Sequence, residues 1–170
     1  MRRRVRMMTL GAVTALVVTV TAVLGFGTAS AQQPAPPLAA PAPATYPATY
    51  PGGVGGTPCT ATARACVDVA GRLAWLMDGG RVVRGPVQVQ TGDDEDPTPV
   101  GTFAVQWKAE QYTSREYLVQ MPYSVFFAPG GVAFHQGRQD TPSAGCVKLV
   151  LEDAQAFFGY LQVGDEVQVT

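Results

Sequence analysis

The residues best suited to chemistry in this 170-residue chain are its single histidine, His135, and the cysteine eleven positions later, Cys146. His135 ends one apolar stretch and Cys146 begins the next, and the loop between them contains Gly137 and Pro142. A loop of this length can fold back and bring the two side chains together. An imidazole beside a thiol can remove its proton to produce a nucleophilic thiolate, and can later protonate a leaving amine. The alternative is a buried histidine at a strand end and an inert cysteine in the core.

The residue before the cysteine favours the catalytic interpretation. Gly145 has no side chain to crowd an incoming carbonyl, and it leaves backbone N–H groups around Cys146 free to face a developing oxyanion. The sequence therefore predicts a site for nucleophilic attack on a carbonyl carbon.

The N-terminus has the order of a secretory signal peptide. Four arginines within residues 2–6 precede an uncharged stretch over 7–26, and Ala29-Ser30-Ala31 then forms a small-x-small cleavage site. We predict a signal peptide over residues 1–31, export to the cell wall or the medium, and no stable membrane span after cleavage. An uncleaved anchor is the alternative, because about twenty apolar residues are enough to span a bilayer.

The segment that follows and the first cysteines define the domain boundary. Residues 32–57 are almost all Pro, Ala, Thr, Tyr and Gly, which predicts a flexible linker before a folded domain over 58–170. Cys59 and Cys66 lie seven positions apart at the start of that domain. In an oxidising compartment such a pair can close a small loop, so we predict a disulfide that ties the first residues of the domain to its first strand.

The composition excludes several classes of function. Without residues 1–31 the chain keeps eight basic and thirteen acidic residues, a net charge of −5, which is the wrong sign for a nucleic-acid-binding surface. One histidine and three cysteines leave few ways to build a metal site. The glycines at 52–56 lack the strand, helix and lysine of a phosphate loop. We predict no metal and no cofactor.

The apolar pattern predicts a β-rich domain that positions His135 at a strand end. Leu151, Ala154, Phe157, Phe158 and Leu161 recur at helical spacing, which predicts one late helix over 151–161. Many short strands and one helix favour a mixed β-sandwich or barrel. The strands are predicted over 66–70, 72–77, 81–90, 103–107, 116–120, 124–127, 132–135 and 166–170.

Three segments resemble the L,D-transpeptidase catalytic domain family. Residues 143–149 read Ser-Ala-Gly-Cys-Val-Lys-Leu, residues 134–137 read Phe-His-x-Gly, and residues 98–103 read Thr-Pro-Val-Gly-Thr-Phe. The family has a similar turn, then His-x-Gly, a loop, and Ser/Thr-His-Gly-Cys. The resemblance covers about residues 66–170 and implies the family's mixed β-sandwich or barrel with a helix.

The resemblance also implies roles for individual residues. Cys146 would be the nucleophile and His135 the base, with the carbonyl of Gln136 fixing the tautomer of the imidazole, as in triad logic. The N–H groups of Gly145 and Cys146 would form the oxyanion hole, and Ser143 would brace the loop.

The implied substrates are peptidoglycan stem peptides. The thiolate would attack the carbonyl between the diamino acid at position three of a donor tetrapeptide and its terminal D-alanine. The side-chain amine of an acceptor stem would then resolve the thioester and give a 3→3 cross-link. Met121 and Tyr123 are expected to line the donor cleft.

Two positions depart from the family pattern. Ala144 replaces a second histidine, a donor whose loss can cost on the order of 10²–10³ in rate. Lys148 replaces Arg or Asn and keeps a positive charge, so it is expected to bind substrate. Two alternatives to the transpeptidase therefore stay open: an L,D-carboxypeptidase that hydrolyses stem peptides, and a catalytically weakened domain that binds wall peptides.

Overall fold

The computed structural model describes residues 50–170. The predicted signal peptide over 1–31 and residues 32–49 of the predicted linker lie outside the described residues. The described part has nine strands and one helix: β1 (Ala65–Asp68), β2 (Leu73–Asp78), β3 (Arg81–Gln88), β4 (Gly101–Ala104), β5 (Trp107–Ala109), β6 (Ser124–Ala128), β7 (Val132–Gln136), β8 (Val147–Leu149), α1 (Leu151–Tyr160) and β9 (Glu166–Val169).

The strands form two mixed sheets. The first sheet has the order β3-β2-β1-β9-β4, and the second has the order β5-β6-β7-β8. The β1–β9 and β7–β8 pairs are parallel, and the other pairs are antiparallel. This arrangement, with its single late helix in the described residues, confirms the predicted mainly β fold class.

Alternation along each strand divides the apolar residues between a main core and the outer faces. In β2, Ala74 and Leu76 point into the main core, whereas Leu73, Trp75 and Met77 point to the outer face of the first sheet. Both faces of β2 are covered, so nearly every residue in it is buried. Such a strand therefore appears in the sequence as a continuous apolar run.

Residues 50–63 cover the outer face of the first sheet. Tyr50 packs its ring on Trp75, with centroids 5.9 Å apart, and donates a hydrogen bond to Asp68 at 2.8 Å. Thr57 is fully buried. Residues 50–57 fall within the predicted linker, yet here they pack on the domain, because the side chains of Tyr50 and Val54 cover an apolar surface of the first sheet.

The structure contains the Cys59–Cys66 disulfide. Cys66 lies on β1, one residue from the core-facing Ala65 and Val67, so its side chain points to the covered outer face. The bridge ties the covering segment to the first strand.

Helix α1 packs on the second sheet. Ala154 and Phe157 are fully buried in the main core. Arg84 of β3 contacts Asp153 in the first turn of the helix, at 2.7 Å, and Lys108 of β5 donates to the carbonyl of Leu161 at its C-terminal end, at 2.6 Å. The acidic first turn and the lysine at the last carbonyls both suit the helix dipole.

Two predicted strands differ from the structure. Residues 116–120 form a turn instead of a strand, because Ser114 accepts from the backbone N–H groups of Tyr117 and Leu118 and Leu118 takes φ +52°. The predicted strand over 103–107 is divided between β4 and β5. The chain changes sheets there: Val105 donates to Asp165 beside the first sheet, and Gln106 donates to Phe126 in the second.

No helix within residues 50–170 has the length and hydropathy that a membrane crossing requires.

Candidate active site

Alternation in β7 and β8 determines which side chains face outward from the second sheet. Phe134 and Val147 are paired in parallel register and point into the main core. The next pair in the register, His135 and Lys148, therefore points to the opposite face. Cys146, one residue before Val147, lies on that same outward face and contacts the apolar cluster there.

A cavity of about 580 Å³ lies over this face, and both His135 and Cys146 line it. The predicted residues Met121, Gln136 and Ser143 also line it. The structure thus brings the sequence-predicted nucleophile, base and orienting residues to one concave site, as expected of a site for a small substrate. Lys148 lines the cavity too.

His135 is held in a single orientation. Its Nδ1 lies 2.8 Å from the carbonyl oxygen of Gln136, and the Gln136 N–H donates to Pro122 at 2.9 Å. A carbonyl only accepts, so in the neutral imidazole Nδ1 carries the proton and Nε2 is left free to accept one. His135 is 6% exposed, and burial lowers its pKa, as does the charge of Lys148, while the contact with Gln136 opposes the shift.

The thiol of Cys146 is half-buried, with Sγ 3.8 Å from the carbonyl oxygen of Gly131. Burial raises the pKa of this thiol, although a hydrogen bond from the Ala133 backbone and the charge of Lys148 act in the opposite direction. The lowered histidine pKa and the raised cysteine pKa both favour an uncharged imidazole and thiol at rest. With both groups uncharged, any attack by the thiol would have to be accompanied by transfer of its proton to a base.

The backbone before Cys146 requires glycine. Gly145 has φ +86°, a left-handed conformation that other residues rarely adopt. Ser143 donates from its hydroxyl to the carbonyl of Cys146, and its own N–H donates to Thr91 at 2.9 Å. These contacts hold the turn, so the serine is placed where it can brace the loop.

Lys148 braces the loop that connects β7 to β8. Its ammonium contacts the carbonyl oxygens of Thr141 and Pro142 and the hydroxyl of Thr141, which accounts for its three donors. A Cβ at Gly137 would lie 2.8 Å from Lys148 Cδ, so the glycine makes room for the lysine stem. The expected substrate contact would have to compete with these bonds.

The two residues expected in the donor cleft have different positions. Met121 is buried at the cavity wall beside Phe126 and Ala133. Tyr123 does not line the cavity, and this corrects the expectation for it. Its φ of +56° turns the side chain toward α1, where the ring contacts Phe158 and the hydroxyl accepts from Gln155 at 3.1 Å.

The sequence prediction missed one wall of the cavity, the 112–120 loop. Tyr112, Arg115, Glu116 and Tyr117 of this loop line the cavity. The consecutive apolar residues at 117–119 favour a strand when only the sequence is considered. The adjacent charges at 115 and 116, directly after Ser114, are the signal that could have identified a turn.

The described residues offer no group of three or more His, Cys, Asp or Glu side chains that could hold a metal ion. The contacts of the site are those of a thiol, an imidazole and backbone amides.

Comparison with known proteins agrees with this geometry. The family profile of the YkuD L,D-transpeptidase catalytic domain matches residues 62–169. Among solved structures, an L,D-transpeptidase from Stackebrandtia nassauensis is 29% identical, with a TM-score of 0.59 over 62% of this chain and 54% of that chain. L,D-transpeptidase 1 of Mycobacterium tuberculosis is 25% identical, with a TM-score of 0.54 over 62% and 60%.

An L,D-transpeptidase from Mycobacterium smegmatis, 22% identical with a TM-score of 0.58 over 66% of this chain and 60% of that chain, shares the fold. The chain thus spans between 54% and 60% of the length of these three proteins. No curated protein matches the chain.

Proposed function

Because the chain belongs to the YkuD family of L,D-transpeptidase catalytic domains, we propose that it is a cysteine acyltransferase that forms 3→3 cross-links between peptidoglycan stem peptides. The observation that carries the proposal is the cavity that Cys146 and His135 share, with Nδ1 of the histidine bound to the carbonyl of Gln136. Export to the cell wall by a cleaved signal peptide over 1–31 is part of the same proposal.

The first half-reaction acylates the cysteine. Nε2 of His135 takes the thiol proton while Sγ of Cys146 attacks the carbonyl between the diamino acid and D-alanine. The N–H groups at Gly145 and Cys146 stabilise the oxyanion, and the turn that the glycine permits is what orients them. His135 then protonates the leaving amine of D-alanine, and a thioester remains.

The second half-reaction transfers the acyl group. The side-chain amine of an acceptor stem attacks the thioester. His135 takes a proton from that amine and passes it to Sγ of Cys146, which leaves as the thiol. Water in place of the amine would give a carboxypeptidase. Both outcomes use the same residues, so only the products distinguish them.

Ala144 supports a second candidate function. It lines the cavity where the family has a histidine, so one potential donor to developing charge is absent. A domain that binds stem peptides with little turnover would keep the cavity and lose rate at this position.

The test is an intact-mass experiment on the purified full chain and its Cys146→Ala variant, each incubated with a muropeptide tetrapeptide. An acyl adduct on the unsubstituted protein alone, with free D-alanine and a cross-linked dimer, is the result expected. D-alanine without dimer would identify a hydrolase. Neither adduct nor D-alanine, with binding retained, would establish the binding domain and make Ala144→His the next variant.

A further inference from the structure

The cavity wall contains three long basic side chains, and two of them are already bound to the protein. Arg138 donates from Nε and an Nη to the carboxylate of Asp140, at 3.0 and 2.7 Å. Lys148 gives its donors to Thr141 and Pro142, as described above.

Arg115 differs from both. Its side chain is exposed and lines the cavity, and within residues 50–170 its guanidinium has neither a hydrogen-bond partner nor an ion-pair partner. A guanidinium presents five N–H donors in a planar fork that matches the two oxygens of a carboxylate. Arg115 therefore faces the cavity with this capacity unused.

The backbone that presents Arg115 is braced on both sides. The N–H of Ser114 donates to the carbonyl of Val119 at 2.9 Å, and the N–H of Leu118 donates to the carbonyl of Ser114 at 3.0 Å. The side-chain amide of Gln120 donates to the hydroxyl of Thr113 at 2.9 Å, beside a β-bridge between the same two residues. A braced loop lowers the entropy that a bound ligand must overcome, which is what a binding residue requires.

We propose that Arg115 binds a free carboxylate of the donor stem peptide and thereby selects donors that carry one. This inference rests on the proposed function, since it is the stem peptide that supplies the carboxylate. Among the described residues that line the cavity, three basic side chains face one acidic side chain, Glu116. Asp140 neutralises Arg138 from outside the lining, and the remaining surplus of one positive charge favours an anion. A tetrapeptide donor places its terminal carboxylate one residue beyond the scissile carbonyl.

Two carboxylates of the donor peptide are candidates for the group that Arg115 binds. One is the C-terminal carboxylate of D-alanine, and the other is a carboxylate on the side chain of the diamino acid at position three. Replacement of either one by its amide removes the charge and keeps the shape of the peptide. The two amides therefore separate the sources.

The experiment measures binding instead of turnover. Three tetrapeptides are titrated into the full chain carrying Cys146→Ala: one with both carboxylates, one amidated at the C-terminus and one amidated at position three. We expect the peptide with both carboxylates to bind about tenfold more tightly than one of the amides, as a charge-assisted hydrogen bond at an exposed site gives. The amide that weakens binding identifies the carboxylate that Arg115 holds.

Variants at position 115 assign the effect to this residue. Arg115→Gln should bring the affinities of acid and amide to within about twofold of each other, while Arg115→Lys should keep part of the preference because it keeps the charge. Arg81→Gln is the matched control, since Arg81 is an exposed arginine of β3 that does not line the cavity. It should leave the preference unchanged.

A preference that persists in Arg115→Gln, equal binding of all three peptides, or no binding at all would overturn the inference. The proposed function is judged separately, by the adduct on the unsubstituted thiol. Acid-selective binding without any adduct would keep Arg115 as the carboxylate site and reject the enzyme.

Discussion

The two outer faces of the sheets in this chain each carry a cysteine beside an aromatic cluster, yet they have opposite surroundings. On the first sheet Cys66 lies among Leu73, Trp75 and Met77 under a covering segment, and it is bound in a disulfide. We call this the sealed face. Beside the second sheet Cys146 and His135 line the same 580 Å³ cavity, and the thiol of Cys146 is free. We call this the cavity face.

In both sheets strand alternation determines that the cysteine points away from the main core. The segment that lies over each sheet then determines whether a ligand can reach that cysteine. Both cysteines have core-facing neighbours in sequence, so both point outward from the main core. Residues 50–63 exclude water from the first and leave no room for a ligand. The second lies under the 112–120 loop, which lines an open cavity.

The strongest test of the comparison is Cys146→Ala. On the cavity face it removes the proposed nucleophile, so acyl transfer from a tetrapeptide donor should fall by at least about 10³-fold. The free energy of unfolding should change little, because the side chain is small and half-buried. Intact mass checks the loss of acyl transfer, and urea denaturation checks the free energy of unfolding. A variant that keeps its acyl transfer but loses stability would contradict the division between the two faces.

His135→Asn should be the next largest effect. Loss of the proposed base should lower the rate of acyl transfer by roughly 10²–10⁴-fold. In the unsubstituted protein burial lowers the histidine pKa, so the imidazole stays neutral, and active as a base, as pH falls past its usual 6.5. In the unsubstituted protein kcat/KM should therefore begin to fall with decreasing pH only below pH 6.5. In the variant this fall on the acid side of the pH profile should be absent. An acid limb above pH 6.5 would show that the site stabilises imidazolium.

Trp75→Ala tests the sealed face. Trp75 is 3% exposed, and removal of such a side chain should lower the free energy of unfolding by about 3–5 kcal/mol. Trp107 is 41% exposed and stacks on Phe126 beside the cavity, so Trp107→Ala is the matched control and should cost less. Equal losses in the free energy of unfolding, measured by urea denaturation, would contradict this expectation. They would mean that packing on the sealed face stabilises the fold no more than packing at the exposed edge of the second sheet.

Replacement of both Cys59 and Cys66 by serine is expected to have a moderate effect. A bridge that closes a loop of this length stabilises by about 2 kcal/mol in the chain-entropy description. The loss should appear in unfolding of the double variant, while alkylation of Cys146 in the folded protein should keep its rate. A changed rate of alkylation would show that the two faces are coupled through the core.

The extent to which the sequence predicts this molecule follows from how local each feature is. The helix, the disulfide and the position of His135 on a strand depend on spacing and on short apolar runs, and the pattern predicts all three. The direction of the Tyr123 side chain depends on a positive φ, and the sequence around this tyrosine has no feature that indicates one. Residues 116–120 contain a short apolar run that favours a strand, but hydrogen bonds to Ser114 fold them into a turn.

Residues 50–57 illustrate the same limit on the sealed face. Their composition is that of a linker, and their partners close in sequence, such as Val54 for Thr57, only close turns within the segment. Tyr50 instead meets Trp75 and Asp68, which lie on or beside strands that begin well after it. Contacts between distant segments of this kind cannot be deduced from local composition.

Tyr50→Phe measures that packing and should have the smallest effect of the set. It removes the hydrogen bond to Asp68 and keeps the ring on Trp75, so it should lower the free energy of unfolding by about 1 kcal/mol at neutral pH.

The same residue makes the stability depend on pH. Burial, followed by the hydrogen bond and charge of Asp68, raises the pKa of Tyr50 from 10.0 to about 12. In that interval the unfolded chain loses the proton while the folded one keeps it, so this contribution to stability is complete below pH 10 and declines between pH 10 and 12. Urea denaturation at pH 8 and at pH 11 should show a smaller decline in the variant than in the unsubstituted protein. Identical stability of the two proteins at both pH values would mean that residues 50–57 leave the sealed face in solution, as the linker composition predicts.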